Sequence, residues 1–281
     1  MAATLLRASQ PQGGKPVSEA SQAGAIETGM TRECDFAGAP PPHRVSAREG
    51  YRLWALSYDC DPNPLLALEE RILEPLLPDM KGKTVVDLAC GTGRWLARLL
   101  AKGAGSGFGI DCSEEMLEQA IRKPGLAGAM VKGDCIALPF RDSFADVMIC
   151  SFALGHIANL PGLARELARV TRAGSNLFLT DLHPIAYESG WLCGFRHAGT
   201  QYEIPVRARP IAEVHRVFES QGFTLMRLIE PFLGEPEIPI FELARKRDVF
   251  RSVRDTPAIF VCHFMPSRDQ SKEISVEQRV K

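Results

Sequence analysis

The stretch that most constrains the fold is Val85-Val86-Asp87-Leu88-Ala89-Cys90-Gly91-Thr92-Gly93-Arg94-Trp95. Val85, Val86 and Leu88 are β-branched or apolar, as a strand covered on both faces requires. Gly91 and Gly93 lack Cβ, so the backbone can turn sharply there and let a ligand lie against it. Trp95, Leu96, Leu99 and Leu100 then recur at helical spacing. A strand, a glycine turn and a helix in this order form a ligand site at the carboxyl end of a parallel sheet. Roughly 20 residues further on, Phe108-Gly109-Ile110-Asp111 reads as a second strand ending in an acid, and a carboxylate there can accept both hydroxyls of a ribose.

Composition sets outer limits. The chain has 281 residues, which suits one α/β domain with extensions, and 45% apolar content supplies a sizeable core. A formal net charge of −1 gives no global field toward nucleic acid, so no nucleic-acid partner is expected. The eight cysteines are scattered with no C-x-x-C pair, which predicts reduced thiols and a cytoplasmic setting, and no cluster suggests a metal. No apolar run approaches the ~18 residues of a membrane span. Residues 1–46 are rich in Ala, Gly, Ser, Pro and Gln, include Pro40-Pro41-Pro42, and predict a disordered leader. Met30 is an alternative start to Met1.

From residue 47 the pattern changes. Tyr51, Leu53, Trp54, Leu56 and Tyr58 form an amphipathic helical stretch, stopped by Asp61-Pro62-Asn63-Pro64. A second helix is predicted over 65–76, and residues 47–80 are read as an N-terminal helical cap. The domain proper is read over 81–267, with a flexible tail at 268–281. Ser113 is a good N-cap for a helix carrying Met116 and Leu117. Strands are predicted over 127–132, 147–151, 174–181, 223–229 and 258–264, with helices over 163–170, 211–221 and 241–253. Between 182 and 210 the alternation lapses into a stretch rich in aromatic and His residues.

Four motifs follow one another in a family-like order. Asp87, Ala89, Gly91 and Gly93 match the pattern D-x-A-x-G-x-G, and Gly109-Ile110-Asp111-Cys112-Ser113-Glu114-Glu115-Met116 matches G-x-D-x-S-x-x-M. Gly133-Asp134 with Leu138-Pro139-Phe140 is the third, and Ala145-Asp146-Val147 the fourth. The chain resembles the class I S-adenosylmethionine-dependent methyltransferases of the small-molecule, type 11-like kind, over about 51–265 and most strongly over 85–181. The resemblance implies a Rossmann-like, doubly wound, mostly parallel seven-stranded sheet with helices on both faces and an N-terminal cap. It implies S-adenosylmethionine as cofactor. Asp87, Ala89, Gly91 and Gly93 would then form the cofactor loop, and Asp111 with Cys112 would hold the ribose. Met116 would pack on the adenine, Asp134 would accept its amino group, and the Cys135 backbone would meet the ring. Ser151 would face the reactive end, and Tyr58 of the cap would touch cofactor or substrate.

Two other readings stay open at this point. A nicotinamide-dependent oxidoreductase wants G-x-G-x-x-G/A, and here Leu96 occupies the third small position. A cofactor-binding domain that transfers no methyl group is the other. For chemistry, His156 and His183 lie just past the ends of two central strands, and neutral histidine suits a general base near pH 7. The N/D-P-P-Y tetrapeptide of amino-directed enzymes and the paired-glutamate hairpin of arginine methyltransferases are both absent. The resulting expectation is O- or C-methylation of a phenolic, quinone-like or other natural-product small molecule, by a monomer or homodimer.

Overall fold

The structure is a computed structural model and describes residues 41–267. In chain order the elements are β1 (His43–Arg44), α1 (Ala47–Trp54), α2 (Pro64–Leu73), β2 (Thr84–Leu88), α3 (Arg94–Ala101), β3 (Ser106–Asp111), α4 (Glu114–Ala120), β4 (Met130–Lys132) and β5 (Ala145–Ser151). Then come α5 (Leu160–Val170), β6 (Thr171–Leu182), α6 (Pro184–Glu188), β7 (Cys193–His197), β8 (Thr200–Ile204), α7 (Ile211–Ser220), β9 (Phe223–Ile229), α8 (Ile238–Leu243), α9 (Arg247–Val253) and β10 (Ile259–Pro266).

Seven strands form the main sheet in the order β4-β3-β2-β5-β6-β10-β9. β10 runs antiparallel to both β6 and β9, while β2 pairs in parallel with β3 and β5. Side chains alternate across the pleat, so neighbours in sequence serve opposite faces. Val86, Met148, Leu177 and Phe260 pack on one face with Leu163 of α5 and Phe218 of α7. Val85, Val147, Phe178 and Val261 pack on the other with Leu68 of α2, Trp95 of α3 and Phe250 of α9. This double covering is why the strands read as continuous apolar runs.

The turn after β2 is left-handed at three positions: Ala89 (φ 49), Gly91 (φ 52) and Gly93 (φ 74). Gly93 caps α3, and a Cβ built there would lie 2.7 Å from Leu126 Cδ1. Leu96, the large residue at the third small position, is accommodated from the strand side. A Cβ on Gly107 of β3 would lie only 2.6 Å from Leu96 Cδ1.

A second, three-stranded sheet has the order β1-β8-β7. β7 and β8 form an antiparallel hairpin, and β1 joins in parallel with His43 opposite Tyr202. α1 lies on this sheet, with Trp54, Phe195 and Ile204 as its buried cluster. The aromatic stretch after β6 is therefore a hairpin that takes residues 43–54 as partners. The predicted leader lies outside the described residues as far as 40. Its last residues are structured, because His43–Arg44 pairs with β8 and the Ser46 hydroxyl accepts the Glu49 N–H. The predicted tail at 268–281 lies outside the described residues as well. The single helix expected over 241–253 is two, α8 and α9, because Arg245 adopts φ 55 between them. The first cap helix ends at Trp54, and Tyr58–Cys60 is a 3-10 turn. No helix among the described residues is long and apolar enough to cross a membrane.

Candidate active site

The carboxyl ends of β2, β3, β5 and β6 meet at one edge of the main sheet. There the Asp111 side chain, 9% exposed, accepts the Gly91 N–H at Oδ2 and the Ser113 N–H at Oδ1, both at 2.8 Å. Burial raises its carboxyl above the ordinary range, and the N–H groups of Ser113, Gly91 and Cys112 pull it back. The carboxylate thus braces the glycine turn. Asp87, one strand over, accepts the Leu96 N–H at 3.0 Å and pins the start of α3. Burial pushes it up to about 7 against that hydrogen bond and Arg94.

A buried polar knot sits behind the turn. Glu69 of α2 is fully buried and accepts from Arg94, from Trp95 Nε1 at 3.0 Å, from Ser151 Oγ at 2.7 Å and from Thr180 Oγ1. Burial works against the Arg94 guanidinium, but the charge and hydrogen bond of Glu69, with Tyr58 and the Glu70 hydrogen bond, together outweigh it and the net shift is upward. A buried charge needs such a partner, since alone it would cost several kcal/mol. The sequence carried no signal for this knot: Glu69 lies on the buried side of α2 with Leu68 and Leu73, and its partners come from three other elements. A second tie links the cap to the glycine turn. Asp59 accepts from Thr92 Oγ1 at 2.7 Å and pairs with Lys123 Nζ at 2.8 Å.

Beside this edge lies an open cleft. Its walls are Tyr51, Trp54 and Tyr58 from the cap, Phe152 and His156 after β5, Asp181 and Leu182 at the end of β6, and Leu192, Cys193 and Val206 from the hairpin region. Among these described residues none is Lys or Arg. His156 Nε2 lies 2.9 Å from the Tyr51 hydroxyl, and burial pushes the imidazole down to about 4. Asp181 accepts the Gly155 N–H at 2.8 Å and the Leu182 N–H at 2.7 Å, and burial pushes it up to about 6.

Most of the predicted site residues gather here. Ala89, Gly91 and Gly93 form the turn, and Asp87 and Asp111 end neighbouring strands. Met116 is buried at the start of α4, where the Ser113 hydroxyl caps its N–H. Cys112 is exposed and Cys135 buried, each next to the acid that ends its segment. Asp134 is exposed, with Oδ1 accepting the Ile136 N–H at 3.1 Å. Ser151 is committed to Glu69, and Tyr58 and His156 line the cleft. His183 is the exception. Its ring is 4% exposed, does not line the cleft, and caps α6 by accepting the Ile185 N–H at Nδ1, with Nε2 3.3 Å from Glu230. The residue follows β6 as read, but the Pro184 helix start turns its ring into a capping role.

Comparisons with known proteins decide what kind of turn this is. A family model described as a methyltransferase domain matches residues 85–174. Residues 85–174 carry a methyltransferase domain. Within it fall the glycine turn, Asp111 and the strand that leads to the cleft. The chain is 37% identical over 110 residues to a 2-phytyl-1,4-naphtoquinone methyltransferase of Synechococcus elongatus, covering 36% of this chain and 47% of that protein. It is 32% identical over 154 residues to an uncharacterized protein of Haemophilus influenzae, covering 51% of this chain and 60% of that one. The chain thus spans about half the length of the curated relatives it matches. An S-adenosylmethionine dependent methyltransferase from Mesorhizobium loti superposes with a TM-score of 0.56 at 19% identity, covering 72% of this chain and all of that one, which is a likeness of fold.

S-adenosylmethionine is the cofactor of this methyltransferase family, and the residues present fit it. A Cβ built on Gly91 would meet nothing within 4 Å, so the turn borders open space beside the Asp111 carboxylate. That pairing of an open backbone turn with a strand-end acid suits a ribose diol. The nicotinamide alternative is set aside by the family match.

Proposed function

We propose that the chain transfers the methyl group of S-adenosylmethionine to a small, neutral, planar acceptor, phenolic or quinone-like, on oxygen or carbon. The observation that carries this reading is the aromatic cleft with no Lys or Arg among its described walls, at the ends of β5 and β6 on the sheet edge where the glycine turn and Asp111 end β2 and β3. A cleft with this lining suits an apolar ring system with a few polar handles. An acidic acceptor would find no fixed cation among its described walls. The likeness to a naphthoquinone methyltransferase supports the same class.

S-adenosylmethionine supplies an electrophilic methyl group on a positively charged sulfur. The protein's part is to hold, orient and exclude water. Asp111 would take the ribose, Asp134 and the Cys135 backbone the adenine edge, and Met116 its face. Tyr58 and Trp54 close the cleft above, and His156 is the basic group along its wall. The cytoplasm, where thiols stay reduced, is the proposed setting.

The test has two arms. Calorimetric titration should give tight binding of S-adenosylmethionine and none of NAD. Incubation with methyl-labelled cofactor and a 1,4-naphthohydroquinone should move label to the organic fraction. Cofactor binding with no transfer to any hydroquinone or phenol would turn the reading toward a domain that binds without transferring.

A further inference from the structure

We propose that Tyr51 and His156 form a two-residue proton relay across the cleft, with Tyr51 touching the acceptor, and that the relay selects hydroxyl-bearing acceptors over amines. The inference rests on the reading of the cleft as the acceptor site.

The two residues come from different parts of the fold. Tyr51 lies on α1, in the small sheet unit, and its hydroxyl is 2.9 Å from Nε2 of His156, on the turn after β5. The rings meet edge to face with centroids 5.4 Å apart. Both side chains line the cleft. The turn that carries His156 is held from three directions. Asp181 accepts the Gly155 N–H at 2.8 Å, the Arg207 N–H donates to the Gly155 carbonyl at 3.1 Å, and the Arg209 guanidinium donates to the carbonyls of Leu154 (3.1 Å) and Ile157. A ring so anchored keeps one orientation.

The direction of the hydrogen bond follows from chemistry. Burial holds the imidazole neutral at pH 7, and it raises the phenol well above its ordinary range. The Tyr51 O–H is therefore the donor, Nε2 the acceptor, and Nδ1 carries the ring hydrogen. With Nε2 occupied, an incoming hydroxyl meets the Tyr51 oxygen, which has the Cys193 thiol as a second hydrogen-bond neighbour and keeps a lone pair to accept with. The proton of the acceptor O–H moves to Tyr51 Oη while the Tyr51 proton moves to His156 Nε2. The acceptor oxygen gains the methyl group, the electron pair of the broken S–CH3 bond stays on sulfur, and the ring ends as imidazolium. A weak base is enough, because an oxygen that is being alkylated turns its O–H into a far stronger acid than any imidazolium. An amine gains nothing from the relay. Its ammonium form, with a pKa of about 10 like that of lysine, is out of reach of so weak a base, and a methylated amine can keep its proton.

Asp181 is the rival proton acceptor, since it also lines the cleft. Both of its oxygens hold backbone N–H groups, one of them on the turn that carries His156, so it acts here as a positioning residue.

The test uses the full chain, labelled S-adenosylmethionine and a matched pair of probes, 1-naphthol and 1-naphthylmethylamine, whose aliphatic amine is an ammonium at pH 7 like that of lysine. Naphthol should take label and naphthylmethylamine should not. Tyr51→Phe keeps the ring and removes the hydroxyl. It should lower kcat by ~10²–10⁴-fold, with KM and S-adenosylhomocysteine affinity within about threefold. His156→Gln should lose a similar factor, and the double variant little more, as parts of one unit do. Independently of turnover, nitrogen NMR should find the His156 ring neutral with its hydrogen on Nδ1, and Tyr51→Phe should shift the Nε2 resonance. Equal labelling of both probes, full turnover by Tyr51→Phe, or an Nε2 resonance blind to that change overturns the relay alone. Labelling of neither probe, with S-adenosylhomocysteine still bound, overturns the acceptor reading and the relay with it.

Discussion

The two sheets of this chain are stabilised in different ways. The seven-stranded sheet is covered on both faces by two extensive apolar clusters, and most of its strands lie close in sequence to their neighbours. The three-stranded sheet joins residues 43–54 to residues 193–204 around only three buried side chains, Trp54, Phe195 and Ile204. Yet that smaller unit supplies Tyr51 and Trp54 to the cleft, while the large sheet supplies the glycine turn and Asp111. On the proposed reading, the larger sheet would hold the cofactor and the smaller unit would close the acceptor side. Elements at the low end of local stability are the ones that open for ligands.

The comparison can be broken at its strong end first. Phe178→Ala removes a fully buried ring from the centre of the large sheet. It should cost about 3–5 kcal/mol and lower Tm on the order of 10 °C in a calorimeter. Asp111→Ala removes a charged partner from the site without emptying the core. At ~1.5–3 kcal/mol for such a hydrogen bond, S-adenosylmethionine affinity should fall roughly ten- to a hundredfold by titration. Unchanged affinity would move the ribose elsewhere.

Trp54→Ala tests the weak end. Its ring stacks on Phe195 with centroids 4.9 Å apart, and Nε1 donates to Asp61 at 2.9 Å. Because the small sheet can open locally, the Tm shift should be less than half that of Phe178→Ala, while amide exchange over 193–204 should quicken markedly. A Tm loss as large as that of Phe178→Ala would mean that the two sheets unfold as one. The smallest effect belongs to Asp59→Asn. It keeps an acceptor for Thr92 but discharges the pair with Lys123, whose side chains are 38% and 27% exposed respectively. A partly exposed pair is worth about 0.2–1 kcal/mol, so cofactor affinity should change less than tenfold.

Much of the large sheet was legible because its determinants are local. The run from Val85 to Trp95 encodes strand, turn and helix by residue type alone, and Asp111 follows at the end of the next strand. Ser113 capped its helix as read. The helix read over 241–253 failed at Arg245, where a left-handed residue breaks what the charge pattern joined. His183 is a different kind of miss: its place in the chain was right, but Pro184 starts a helix whose first turn takes the ring nitrogen as a cap.

By itself, then, the sequence determined the doubly wound sheet, the glycine turn and the acids beside it, because hydrophobic period, missing Cβ atoms and capping groups act within a few residues. The tertiary structure alone decided that Glu69 is buried against Arg94, Ser151 and Thr180, that residues 43–44 pair with a hairpin about 160 residues away, and that Tyr51 meets His156. Each of these joins groups far apart in the chain. Their energy comes from desolvation and pairing that exist only once the sheet has closed, and no local pattern records which distant partner will be there.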